Sequence, residues 1–398
     1  MKIIALYLPQ FHVIPENEQW WGKGYTEWDT LKKGKVLIDN QYQPRVPFNK
    51  NYYDLTDKKN IIWQTKIAKQ YGVYGFCVYH YWFNGKLLLE KPMELYLNEK
   101  EADLPFFFCW ANHDWDNTIW KTEKKDKRRN LIFENYSKMD DIDSHFYYVL
   151  KFFRDPRYMK EDGKPVFTIY NPLRIPSKYL HKMISRWREL AILEGFPGIV
   201  FTYQWGAAIY SLKKKNKKLF DYGFEYLPSL VDFEKLGRKG NKRREVVRFF
   251  GNIVNKFFPN LVLKIERNNK EQESGMREVL NYDSVWQEAL AIKHNDNNIV
   301  PGAFTDWDNS PRHGRNGKVI LGSTPEKFQY YLEMQIERAK EMKKDAIIVF
   351  AWNEWTEGGH LEPDEKYNYG YLNAVKNALK NTGELKENKF CRKIFLNE

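Results

Sequence analysis

Eight short apolar runs recur along the chain, each opening into polar or helix-like sequence: Ile3 to Leu8, Val73 to Tyr81, Pro105 to Ala111, Val166 to Tyr170, Ile199 to Gln204, Tyr222 to Leu227, Val300 to Thr305 and Ala346 to Ala351. Runs this short with few polar interruptions predict strands covered on both faces. Between them lie helix-like periods, among them Ile61 to Tyr71, Met183 to Glu194 and Pro325 to Met342, the last opened by the start signal Ser323-Thr324-Pro325. Strands alternating with helices predict parallel pairing through right-handed crossovers, and eight of them match an α/β fold of the (β/α)8 TIM-barrel type. No internal repeat or linker divides the chain, so a single domain over 1–398 is expected, with an insertion at about 229–280 between the sixth and seventh strands.

The last run ends in Trp352-Asn353-Glu354-Trp355-Thr356-Glu357-Gly358-Gly359-His360. The carboxyl end of a barrel strand is where substrates bind, and two carboxyls held there can divide labour, one staying protonated as acid and the other ionised as base or nucleophile. The flanking Trp352 and Trp355 offer flat faces for sugar rings. A helix start, with Glu357 complementing the dipole and the tryptophans packed, would give the same pattern. Candidate partners stand at the other strand ends: Tyr7, Gln10 and His12; His80 and Trp82; Asn112, His113 and Asp114; Tyr170; Gln204; Glu225 and Tyr226; Asp306; and Asn353 in the motif itself. Sugars carry many hydroxyls, so a pocket for them needs amides, carboxylates and imidazoles around a stacking ring. Each residue taken singly is equally a helix cap or a satisfied buried polar group.

The motif, continued by Leu361-Glu362-Pro363, resembles the Asn-Glu-Trp-x-Glu-Gly signature of glycoside hydrolase family 99, the endo-α-mannosidases. It resembles more closely the WbsX-type glycosyltransferases of bacterial polysaccharide biosynthesis, which carry a family-99-like domain. Their amino-terminal signature is matched by Ala5-Leu6-Tyr7-Leu8-Pro9-Gln10-Phe11-His12, Trp20-Trp21-Gly22-Lys23-Gly24-Tyr25-Thr26-Glu27-Trp28 and Tyr42-Gln43-Pro44-Arg45, so the resemblance spans nearly the whole chain. It implies the same barrel and a glycosyltransferase of surface polysaccharide (O-antigen, capsule or lipopolysaccharide) assembly, with a sugar donor and an oligosaccharide or lipid-linked acceptor as partners. A retaining endo-α-glycosidase is the first alternative and a non-catalytic carbohydrate-binding protein the second. By motif position, Glu354 would deprotonate the sugar 2-hydroxyl for attack on the anomeric carbon, and Glu357 would be the general acid/base.

Composition refines this picture. Aromatics make up 17% of residues, including 14 Trp and 26 Tyr, more than a core alone tends to need, so part of the excess is expected in a sugar groove. Cys77 and Cys109 sit in apolar runs and no disulfide or zinc framework is suggested. Asp114-Trp115-Asp116 and Asp306-Trp307-Asp308 have the Asp-x-Asp spacing of metal-dependent glycosyltransferases but lack a Rossmann context, so neither a metal nor any other cofactor is expected. The opening apolar run reads as a strand rather than a secretory core, and a cytoplasmic protein is expected, one able to sit peripherally at the inner face of the membrane. Of the net charge of +12, much falls between Lys235 and Lys270, where 11 Lys/Arg face 2 acids and Val246, Phe249, Phe250, Ile253, Val254, Phe257 and Phe258 recur at helical spacing. That predicts a basic amphipathic helix, either lying on an anionic membrane surface or packed on the barrel; no nucleic-acid motif accompanies it.

Overall fold

The computed structural model describes residues 1–116, 130–136, 140–206, 212, 214–231, 276, 278–294 and 298–385. Eight barrel strands follow one another in chain order: β1 (Lys2–Tyr7), β2 (Val73–Phe83), β3 (Phe106–Trp110), β4 (Lys164–Ile169), β5 (Val200–Trp205), β6 (Tyr222–Glu225), β7 in two pieces (Ile299–Val300 and Gly302–Phe304) and β8 (Ala346–Phe350). Each pairs in parallel with the next, and β1 pairs with β8 in the register Lys2↔Ala346, so the fold is the expected (β/α)8 barrel.

The ring closes through β7. Ile299–Val300 pair with β6, and Gly302–Phe304 pair with β8. Pro301 lacks an N–H and so cannot continue one ladder; its carbonyl accepts from Ile348 N at 3.0 Å, and the strand changes partners there. Gly302 is required at the closure because a Cβ would stand 2.2 Å from Glu225 O. β1, β2, β3 and β8 are buried at every position, as a sheet with both faces covered must be.

The helices include α1 (Glu27–Lys32), α2 (Lys58–Gln70), α3 (Asp141–Phe153), α4 (Ser177–Leu193), α5 (Pro325–Glu341) and α6 (Gly370–Asn381). Asp57 caps α2 by accepting from Lys59 N at 3.0 Å, and Thr324 caps α5 by accepting from Lys327 N at 3.3 Å. α4 starts six residues before the expected Met183, at Ser177. β2 runs beyond the barrel because Asn84-Gly85, both at positive φ, turn it into a hairpin that pairs Phe83 with Lys86. The basic segment 235–270 falls outside the described residues, as does most of the 229–280 insertion. No helix among the described residues is long and apolar enough to cross a membrane.

Candidate active site

A cavity of about 290 Å³ opens at the carboxyl end of the barrel. The strand ends line it with Leu8 and Gln10 after β1, Tyr79 and Tyr81 from β2, His113 after β3, Tyr170 after β4, Tyr226 after β6 and Phe350 of β8, and Glu354 and Glu357 join them from the segment that follows β8. Trp20, Trp21 and Trp115 form an aromatic rim, with Trp115 edge-on to both Trp20 (5.9 Å) and Tyr81 (5.3 Å). Flat apolar rings beside hydroxyls and carboxyls are the surface a pyranose needs, with one face to stack and an edge of hydroxyls to bond.

The motif after β8 folds as a tight hairpin. Asn353–Glu354 pair antiparallel with Gly359–His360, the chain turning through Trp355–Glu357 and Gly358. Gly358 has φ +79°, and a Cβ there would lie 2.9 Å from Arg45 Nη2, so both the conformation and the space demand glycine. The Asn353 amide accepts from Leu8 N at 2.8 Å and donates to Leu8 O at 3.0 Å, which fixes the hairpin to the end of β1. Trp355 stacks on His360 (3.9 Å between rings) and donates its indole N–H to Glu362 Oε2 at 2.8 Å. The hairpin is thereby held on both sides while Glu354 and Glu357 face the cavity.

Arg312, on the short helix Ser310–His313 after β7, binds both glutamates. It donates to Glu357 Oε1 at 2.8 Å and to Glu354 Oε1 at 3.1 Å, and Nη2 lies 3.5 Å from Glu27 Oε2 at the start of α1. Thr356 Oγ1 donates to Glu354 Oε1 at 2.8 Å. Three carboxyls thus share one buried guanidinium, a surplus of negative charge that a water-poor site resists. Burial pushes Glu357 up to about 7; Arg312 pulls it down and the Glu354 charge adds to the rise. Glu27 is likewise raised to about 7 by burial, against the pull of Arg312. Burial works against the Arg312 charge, yet the three carboxylates outweigh it and hold the guanidinium above its ordinary value. Near neutral pH the cluster therefore keeps an exchangeable proton on Glu357 or Glu27, which acid/base work on a sugar requires.

The amino-terminal signature supports this cluster from behind. Arg45 pairs with Asp306 at 2.6 Å, and Gln41 and Gln43 each donate to Asp308 Oδ2 at 2.9 Å. Asp308 N donates to Glu357 O at 2.8 Å and Asp308 Oδ1 accepts from Ser310 N at 2.9 Å. The segment that carries Arg312 and the loop that carries Glu357 are thus tied to one another.

Of the candidates read from sequence, Gln10, His113, Tyr170, Tyr226, Glu354 and Glu357 meet in the cavity, and the others do not line it. Tyr7 points to the outer layer and donates to Gln64 on α2 at 2.9 Å. His80 and Trp82 pack outward on α3, His80 within 2.9 Å of His145 Nε2 and Trp82 stacked on that imidazole at 4.8 Å. Glu225 turns to α5, where Arg338 donates to it at 2.7 Å. His12 is fully buried away from the cavity lining, and burial pushes its imidazole down to about 4. Asn112 clamps Asn171 through N–H and carbonyl bonds of 2.8 and 2.9 Å, Asp114 accepts from Glu134 N at 2.8 Å, and Gln204 accepts from Tyr79 at 3.3 Å. Asp306 is held by Arg45, Asn353 by Leu8, and Trp355 by His360 and Glu362. Trp352 is buried against Phe76 at 5.1 Å. Glu27, Arg312, Tyr79, Tyr81 and the rim tryptophans were not among the candidates. Glu27 stood in plain sight, since Thr26-Glu27-Trp28 echoes Asn353-Glu354-Trp355.

Residues 3–375 match the model of a protein family described as glycosyltransferase WbsX. Two curated relatives, each described as uncharacterized protein WxcX and found in two strains of Xanthomonas campestris pv. campestris, are 30% identical over 380 residues. The match takes in 95% of this chain and 49% of each relative, so the chain spans about half the length of the curated relatives it matches. Among solved structures, a family 99 endo-α-mannosidase from Bacteroides thetaiotaomicron superposes with a TM-score of 0.51 at 12% identity, covering 96% of this chain and 97% of that one. A structure described as a glycoside hydrolase-like protein gives a TM-score of 0.55 at 12% identity, with 95% and 93% covered. At these identities the likeness is one of fold.

Proposed function

The chain belongs to the WbsX glycosyltransferase family, and from that premise we propose that it transfers a sugar from an activated donor to an oligosaccharide or lipid-linked acceptor in bacterial surface-polysaccharide assembly. The observation that carries the reading is the pair Glu354 and Glu357 facing one cavity and bridged by Arg312. In the reaction, Glu354 takes the proton of the donor sugar's 2-hydroxyl, O2 closes on the anomeric carbon, and the leaving group departs with the electrons of the broken bond. An acceptor hydroxyl then opens the resulting three-membered ring. Glu357 receives the acceptor's proton, and Glu354 returns its own to O2. A phosphate-linked leaving group departs as a stable anion, so the first step asks little protonation of Glu357.

A hydrolase reading is favoured by one feature: a carboxyl raised to about 7 is well placed to protonate a departing sugar alcohol. pH dependence separates the two. Transfer needs an ionised Glu357 to accept the acceptor's proton, so kcat/KM for the acceptor at saturating donor is expected to rise as pH climbs through about 7. Hydrolysis needs the protonated form and its kcat/KM would fall over the same interval. Incubation with α-linked oligosaccharides and no activated donor is expected to release no reducing sugar; release at an ordinary enzymatic rate would overturn the transferase reading.

A further inference from the structure

A second cavity of about 540 Å³ lies behind the catalytic hairpin, between the amino-terminal loop and the segment that follows the motif. Its floor is Trp355, Glu362 and Tyr53, all buried; its walls are half-buried aromatics, Phe48, Tyr52, Trp63 on α2 and Tyr369 before α6; and Asn49 and Lys50 stand exposed at its rim. Backbone bonds fix the enclosure: Phe48 N donates to Pro363 O at 3.0 Å and Glu365 N to Val46 O at 2.9 Å. We propose that this cavity is a saccharide-binding site separate from the catalytic one, holding a short stretch of a neutral or acidic sugar chain between the rings of Trp63 and Tyr369 and over the Glu362 carboxyl.

Three observations converge on that chemistry. The lining alternates stacking surfaces with amide, ammonium and carboxyl groups, which suits a molecule with an apolar face and a hydroxylated edge. The volume lies in the range of small-ligand sites, roughly 300–1,000 Å³. Glu362 is a buried carboxyl that the proposed reaction does not use. Gln64 donates to its Oε1 at 2.7 Å, and Tyr53 and Trp355 to its Oε2 at 2.8 Å each. Burial pushes this group up to about 7 against hydrogen bonds from Gln64, Trp355, Tyr53 and Trp352, so near neutral pH it can carry a proton to donate to a sugar hydroxyl.

The two cavities share a wall. Trp28 packs edge-on to Tyr52 (5.4 Å) and Tyr53 (5.0 Å) and tilts on Trp355 (5.9 Å). Its neighbour Glu27 and the neighbour of Trp355, Glu354, look into the catalytic cavity from the other side. A chain seated in the outer pocket therefore lies against the residues that hold the carboxyl cluster. The proposal does not depend on whether the reaction is transfer or hydrolysis.

Calorimetric titration of the whole protein with mannotriose and with maltotriose tests it. Wild type is expected to bind at least one of them, and Trp63→Ala and Tyr369→Ala, each with an unchanged circular-dichroism spectrum, to weaken that binding about tenfold, the loss of one aromatic stacking face. Glu357→Gln, which alters only the catalytic cavity, is expected to retain it. Because Trp63 is half-buried, Tyr369 on a separate segment repeats the test should Trp63→Ala not fold. Binding that survives both aromatic substitutions and is lost in Glu357→Gln would assign the saccharide to the catalytic cavity and overturn the proposal. No binding by wild type up to about 10 mM of either trisaccharide would overturn it as well.

Discussion

Glu354→Gln and Glu357→Gln are each expected to fold as wild type does and to lose roughly 10²- to 10⁴-fold in turnover, about 3 to 5 kcal/mol of transition-state stabilisation. The amide is nearly the same size as the carboxyl, and Thr356 and Arg312 still have an oxygen to bond, so packing survives while proton transfer does not. Far-ultraviolet circular dichroism and thermal unfolding check the first half of the expectation, and steady-state rates the second. Wild-type turnover in either variant would remove that glutamate from the mechanism.

Arg312→Met is expected to be the most destabilising single change in the site. It leaves Glu27, Glu354 and Glu357 buried with no opposing charge, and breaking a buried ion pair by removing one partner costs about 3 to 5 kcal/mol. The loss should depend on pH with a definite sign. Burial already holds Glu27 and Glu357 at about 7 in the folded protein against 4.5 for a free glutamate, and removing Arg312 raises them further. A group whose folded value is raised contributes stability that is complete below its unfolded value and is lost as pH climbs through the folded one. The variant should therefore approach wild-type stability near pH 4.5 and fall away steadily above pH 7. Urea unfolding at pH 5 and pH 8 reads this directly; a deficit that is equal at both values would mean that Arg312 does not offset these carboxyls. Arg312→Lys keeps the charge but offers no planar fork, and should restore part of the stability and little of the activity.

The barrel was legible because its strands are buried on both faces and so stand out as uninterrupted apolar runs. That same property hid which side chains look inward. In Tyr79-His80-Tyr81-Trp82 all four residues are buried and chemically plausible, and a continuous run has no apolar/polar alternation to mark the interior. The polar and indole members, His80 and Trp82, serve the outer layer against α3, and Tyr79 and Tyr81, which alternate with them, face the cavity. The same one-residue shift separates Tyr7 from Leu8 and Glu225 from Tyr226. Glu225 is the instructive case, since a strand-end carboxylate reads as catalytic while its partners, Arg338 and His294, lie more than sixty residues downstream.

The glutamate pair was legible because it sits in one contiguous motif. Arg312 was not: Ser310-Pro311-Arg312-His313 carries no periodic pattern, and its role arises only where the segment after β7 meets the hairpin after β8. Tyr42-Gln43-Pro44-Arg45 belongs to the amino-terminal signature, and its chemistry is structural, since Arg45 and Gln43 hold Asp306 and Asp308 beneath the site.

The most direct test of sugar transfer by this glutamate pair is the rate of glycosidic-bond formation by the purified protein, followed by mass spectrometry with a panel of nucleotide sugars and lipid-linked oligosaccharide acceptors. Wild type should form product only when donor and acceptor are both present, and Glu354→Gln should form almost none under the same conditions. Product of equal yield from wild type and Glu354→Gln, or sugar release that needs no donor, would contradict the account.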